Sequence, residues 1–285
     1  PGKERTFEFL ETVLSEVIEL FPSEYIHIGG DEAGKGLWKT CPDCQKRMRE
    51  ENLGDVDELQ SYMIHRIGEF VSSKGRKIIG WDEILDGGLA PGATVMSWRG
   101  TQGGIESMAM GHDVIMCPGN FCYLDHAQDA PFREPESIGG YLPLEIVYGY
   151  EPEDMAMPKE SLDHLIGVQA NLWSEYIPSD QHAEYMYWPR AIALAETGWS
   201  SRGNRDYDSF RKRVMPVLER MREDGYSTFC LENEYGERKL AQSGLKHKAV
   251  GASVKYNHPI NMSYPASGET SLTDGVAGGW SNSDG

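Results

Sequence analysis

The chain has 285 residues, and its 45 acids against 27 bases give a net charge of −18. That balance argues against a nucleic acid or an anionic membrane surface as partner, because phosphate binding needs a basic face. Hydrophobic and charged contents of 39% and 25% are those of a globular protein, and no run of about 18 apolar residues is present to span a membrane.

Near the N-terminus, Phe7, Leu10, Leu14, Val17, Ile18 and Phe21 recur at three- and four-residue spacing, the signature of one face of an amphipathic helix, with Pro22 as its stop. "YIHIGG" then reads as a short buried strand, and the adjacent acids Asp31 and Glu32 follow its two glycines. Further on, "CPDC" holds Cys41 and Cys44. With Cys117, Cys122 and Cys230 the cysteines number five, too few and too uneven for a disulfide scaffold, and a structural zinc site would want a second matching pair. No metal is therefore expected.

A second helix carries Leu59, Met63, Ile67, Phe70 and Val71 on one stripe. "GRKIIGWDE" is the next strand, ending at Trp81, Asp82 and Glu83, and "GATVMSWRG" the one after, ending at Trp98. "TQGGIESMAMG" reads as a short helix. "HDVIMCPGNFCYLD" reads as a strand running out through Tyr123 to Asp125. A Pro-, Gly- and Glu-rich segment fills 126 to 164, and "HLIGVQANLWSE" is expected as a fifth strand ending at Trp173 and Glu175. Helical patterning covers about 182–197 and 206–223, with Pro216 a kink in the latter.

Strands alternating with helices imply an α/β fold with parallel pairing. An open nucleotide-binding sheet would show a glycine-rich fingerprint after its first strand, and "GGDEAGKG" is neither G-x-G-x-x-G nor a P-loop. Instead, successive strands end in an aromatic, an acid or both. Functional side chains taken from several strand ends are the habit of the TIM (β/α)8 barrel. The spacing accommodates about strands four to eight of such a barrel, so three strands are expected upstream of Pro1 and the sequence is read as a piece of a longer protein.

The candidate site residues are those at the strand ends: Asp31, Glu32, Trp81, Trp98, Tyr123, Asp125, Trp173 and Glu175. Singly, a loop acid is more often surface and a strand tryptophan more often core. Jointly, indole faces with carboxylates are the chemistry of sugar binding, since the ring stacks on C–H groups and the carboxylates accept from hydroxyls. Of two adjacent acids, one disfavours ionisation of the other, which suits a proton donor paired with a charge stabiliser. Residues next to each other on a strand point to opposite faces, so Asp31 and Glu32 can serve one sugar only where the strand frays. The glycines before them permit that exit. His27, His65 and His112 are read as structural, with His27 close enough to support the site.

"HIGGDE", "WDE", "SWRG", "YLD" and "NLWSE", in this order, resemble the β-N-acetylhexosaminidases of glycoside hydrolase family 20, over about residues 5 to 224. The resemblance implies a TIM barrel and an exo-acting, retaining glycosidase that removes terminal β-linked GlcNAc or GalNAc. It implies no cofactor and no protein nucleophile: the substrate's 2-acetamido oxygen attacks C1 and forms an oxazolinium. By the same resemblance Glu32 is the general acid and then base. Asp31 holds the acetamido N–H, Tyr123 donates to its oxygen, Trp81, Trp98 and Trp173 wall the pocket, and Asp125 and Glu175 accept from the O4 and O6 side. The implied partners are N-acetylhexosamine-terminated glycans, in the periplasm, on the cell surface or outside the cell.

The family's first-strand arginine and third-strand histidine have no counterpart here, and Arg99 stands in the wrong motif to replace the former. The 285 residues alone are therefore expected to be weakly active or inactive. Two other readings are a non-catalytic glycan binder on an incomplete barrel and a metal-dependent barrel using Asp31, Glu32 and Asp125. Residues 1–240 are read as the C-terminal portion of the catalytic barrel. Residues 241–285, β-rich and similar to the start of a galactose-binding-like sandwich, are read as linker and the opening of a second domain.

Overall fold

A computed structural model describes residues 1–129, 134–153, 159–234, 248–259, 270 and 272–275. In chain order its elements are α1 (Glu4–Leu20), β1 (Tyr25–His27), α2 (Pro42–Glu50), α3 (Val56–Ser73), β2 (Lys77–Trp81), β3 (Thr94–Ser97), α4 (Gln102–Ala109), β4 (Val114–Met116), α5 (Gly119–Cys122), α6 (Leu144–Gly149), α7 (Lys159–Leu162), β5 (Leu165–Val168), α8 (Asp180–Tyr187), α9 (Arg190–Trp199) and α10 (Tyr207–Glu223). They fall into two compact units, Pro1–Gly119 with Pro152–Val168, and Asn120–Glu151 with Gln169–Gly285.

The first unit holds a five-stranded parallel sheet in the sequential order β1-β2-β3-β4-β5. This is the α/β class expected from the strand and helix alternation. Every residue of β3 is buried, and so is every residue of β2 after Lys77, as parallel strands covered on both faces require. Helix α3 starts where the Asp55 carboxylate accepts from the N–H groups of Asp57 and Glu58, both at 2.9 Å. Its stripe is Leu59, Ile64, Ile67 and Val71; Met63 and Phe70, expected on that face, are only half buried. Phe7, fully buried, fixes α1 by an edge-on contact with Tyr62 and a guanidinium from Arg66 lying 4.2 Å from its ring centroid.

In the second unit Tyr148 of α6 stacks on Phe210 of α10, centroids 4.6 Å apart, and its hydroxyl donates to Glu196 of α9 at 2.8 Å. Val147, Leu142, Ala193, Val214 and Leu218 fill the space around them.

Several expected boundaries move. The β4 strand ends at Met116 and does not reach Asp125, because Pro118 has no N–H to offer a ladder and Gly119 opens a helical turn. Among the described residues, the parallel pairing of these two segments resumes as an isolated bridge, Tyr123 to Asn171. Likewise β5 stops at Val168, well short of Trp173. The helix expected over 182–197 is two helices, α8 and α9, divided at the cis Trp188–Pro189 bond. "CPDC" begins α2, with Cys41 at its cap and Pro42 in the first turn. The 126–164 segment contains α6 and α7. Helix α10 runs on through Pro216. The β-rich reading of 241–285 lies mostly outside the described residues, and none of those described there belongs to a strand.

Asp55→Ala removes the side chain that accepts from the Asp57 and Glu58 N–H groups at the start of α3. It is expected to cost about 1 kcal/mol and to lower Tm by about 2–4 °C, read by thermal denaturation.

Candidate active site

In the first unit the chain leaves β1 through a turn that ordinary residues resist. Gly29 has φ +73°, Gly30 φ +104° and Glu32 φ +46°. The glycines bear this without strain, whereas a left-handed glutamate costs on the order of 1 kcal/mol and persists only where its surroundings enforce it. Three contacts enforce the turn. Trp81 N–H donates to the Gly29 carbonyl at 2.9 Å, the buried Gln60 Nε2 to the Gly30 carbonyl at 2.8 Å, and Gly29 N–H to His27 Nδ1 at 3.0 Å. A Cβ at Gly30 would lie 2.5 Å from Ile84 Cγ2, so the residue must be glycine for space as well as conformation. Asp31 and Glu32 emerge from this turn exposed to solvent.

His27 also sets its ring edge-on to Trp81, centroids 4.9 Å apart. Desolvation pushes the imidazole below its ordinary value, against the pull of Asp31. A neutral ring with Nδ1 as acceptor is the form that the Gly29 bond needs.

Two further acids serve the next strand end. Trp98 donates its indole N–H to Glu83 Oε2 at 2.9 Å, and Arg99 Nε bonds Asp82 Oδ1 at 3.1 Å with Glu83 Oε1 at 3.8 Å. Burial pushes the Asp82 carboxyl up to about 6, opposed by Arg99 and reinforced by Glu83. So "WDE" supplies more than Trp81: its carboxylates fix both residues of the "WR" that follows β3. Asp82 and Glu83 were missed as supports because nothing in the sequence says which side chain faces which.

The second unit holds Tyr123, Asp125, Trp173 and Glu175. The rings of Tyr123 and Trp173 lie tilted to one another, centroids 6.4 Å apart at 59°. Asn171 N–H donates to the Cys122 carbonyl at 2.8 Å and Leu124 N–H to the Asn171 carbonyl at 2.7 Å, so the two segments share a register. Trp173 and Glu175 are exposed. Asp125 is buried at 4% exposure, with Oδ1 lacking a partner among the described residues. Burial pushes its carboxyl up to about 6, although Arg190 pulls the other way. An unpartnered buried carboxyl oxygen is ready for a ligand hydroxyl. The cysteines at 41 and 44 are free, the first half buried and the second buried.

In each unit, acids and indoles follow the carboxyl-terminal side of parallel pairing in an α/β protein. The chain belongs to glycosyl hydrolase family 20: the model of that family's catalytic domain matches residues 1–202. It is 49% identical over 214 residues to a β-hexosaminidase of Porphyromonas gingivalis, covering 75% of this chain and 28% of that protein. Against the human β-hexosaminidase subunit beta it is 30% identical over 243 residues, covering 81% and 41%. Among solved structures, the exo β-N-acetylglucosaminidase of Vibrio harveyi in complex with N-acetylglucosamine superposes with a TM-score of 0.73 at 31% identity, over 81% of this chain and 36% of that one. The chain thus spans less than half the length of these relatives.

Glu83→Ala leaves the Trp98 indole without its acceptor and is expected to cost about 1–3 kcal/mol in denaturant unfolding, with Glu83→Gln losing less. Asp125 gives a pH-dependent test. Its folded value of about 6 lies above the ordinary 3.8, so its ionisation costs nothing near pH 4 and destabilises as pH rises through 6. Asp125→Asn is expected to gain about 1–3 kcal/mol at pH 8 and almost nothing at pH 4.

Proposed function

We propose that the protein to which this chain belongs is an exo-acting β-N-acetylhexosaminidase that removes terminal β-linked GlcNAc or GalNAc with retention, by substrate-assisted catalysis. The observation that carries this is the Asp31–Glu32 pair on a left-handed turn at the end of a parallel strand, in a family 20 chain. The names of the relatives, β-hexosaminidases and an N-acetylglucosaminidase bound to N-acetylglucosamine, support the substrate class. Five parallel strands in sequential order fit strands four to eight of a TIM barrel.

In this reading Glu32 gives its proton to the glycosidic oxygen as the acetamido oxygen attacks C1. The C1–O bond breaks, the aglycone leaves as an alcohol, and an oxazolinium remains. Glu32, now a carboxylate, takes a proton from water, which attacks C1 and reopens the ring. Two inversions give net retention. Asp31 accepts from the acetamido N–H and balances the positive charge of the ring. Tyr123 donates to the acetamido oxygen, Trp81, Trp98 and Trp173 hold the N-acetyl group and sugar ring, and Asp125 and Glu175 accept from its hydroxyls. No cofactor takes part. The partners are glycans ending in N-acetylhexosamine, met in the periplasm, at the cell surface or outside the cell.

In the full-length protein, Glu32→Gln should lower kcat/KM about 10³-fold for an alkyl leaving group and far less for a nitrophenyl one, which departs without a proton. kcat should fall for both, because opening the oxazolinium loses its base. Unchanged turnover of the alkyl glycoside by the variant would remove Glu32 from the mechanism.

A further inference from the structure

The Tyr123–His126 segment has little regular structure to hold it. Tyr123 and Ala127 each make an isolated bridge, and the carbonyls of Leu124, Asp125 and His126 between them belong to no ladder. Buried carbonyls without a ladder need donors from elsewhere. A single side chain supplies them. Arg190, at the start of α9, is fully buried. Its Nη2 donates to the carbonyls of Leu124 at 2.5 Å and Met186 at 2.8 Å. Its Nη1 donates to the carbonyls of His126 at 2.8 Å and Leu142 at 2.9 Å, and Nε reaches the Met186 carbonyl at 3.3 Å. All five guanidinium N–H groups are thereby used on backbone oxygen. Two of the four carbonyls flank Asp125, in the segment that begins with Tyr123.

This is an unusual use of a buried cation. Burial costs a charge several kcal/mol, and such a group normally takes a carboxylate partner. Among the described residues, no carboxylate hydrogen-bonds the guanidinium. The acids near it, Asp125 and Glu134, act on it only through space, and desolvation pulls it down to about 9. A packed core would be served as well by an apolar side chain. The arrangement makes sense if what must be fixed is the backbone position of one irregular loop.

We infer that Arg190 is the positioning residue for this loop, clamping the carbonyls of Leu124 and His126 so that Tyr123 and Asp125 are held where a sugar would meet them. The inference rests on the hydrolase reading for its kinetic consequence, but not for its structural one. Only a planar fork can serve four carbonyls at once. A lysine keeps the charge and offers three donors from one point, so it cannot reproduce the set.

The test uses the full-length protein with Arg190→Lys and, as a neutral second variant, Arg190→Gln. Two measurements are made. The first is steady-state kinetics on a nitrophenyl N-acetyl-β-glucosaminide, normalised to folded enzyme. The clamp predicts kcat/KM about a hundredfold lower, with kcat and KM both displaced, because the loop carries one residue assigned to each. A merely structural role would reduce the amount of folded enzyme and leave both constants unchanged per folded molecule. The second is amide hydrogen exchange, which needs no activity. Peptides over 122–128 should lose protection in either variant while those over β2 and β3 keep theirs. Unchanged constants in the folded variants, or unchanged exchange at 122–128, would overturn the clamp. An inactive wild type that still shows the local exchange difference would uphold the clamp and overturn the hydrolase reading instead.

Discussion

Two consecutive residues of a strand cannot face the same way, and the proposed chemistry needs both Asp31 and Glu32 on one substrate. The turn at Gly29 and Gly30 is what releases them from that alternation. Its hold is made of three separate contacts: a backbone donor from Trp81, a side-chain donor from Gln60 and an imidazole acceptor from His27. Remove the turn and the acids revert to opposite faces of a sheet. The left-handed glutamate is then the local cost of the geometry, next to a turn at which Ile84 leaves no room for any residue but glycine at position 30.

The loop after β4 meets a similar need by similar means. There too the backbone is irregular, and its carbonyls are bound by a buried side chain, Arg190, rather than by a neighbouring strand. Side chains proposed to touch substrate are thus carried on non-repetitive backbone and braced from below. Trp98 follows the same pattern through its bond to Glu83. Apart from the exposed His27 imidazole, the side chains that do the bracing are buried, and desolvation shows in the upward displacement of Asp82.

Much of the fold was legible because the physics that shapes it is local and periodic. The spacing of Phe7, Leu14 and Val17 marks α1, and the apolar runs before "WDE" and "SWRG" mark β2 and β3. Helix α2 was invisible because it buries only Cys44 and Met48 on an otherwise polar surface. The short helices α6 and α7 lie below the length at which a 3.6-residue period can be read. The strand said to run to Asp125 failed at Pro118, whose missing N–H outweighed the β-branched residues before it. Strand-end residues could be picked out by type, but the supporting roles of Gln60, Glu83 and Arg190 could not. Their significance lies in which distant carbonyl or indole they meet, and a pattern in one dimension does not record that.

The proposed reaction depends on the substrate's own acetamido oxygen as nucleophile. Replacing the acetamido methyl stepwise with mono-, di- and trifluoromethyl, in aryl glycosides given to the full-length enzyme, drains electron density from that oxygen and leaves the sugar otherwise intact. A steep, monotonic fall of kcat/KM along the series is predicted. A flat series would mean that the attacking atom belongs to the protein or to water.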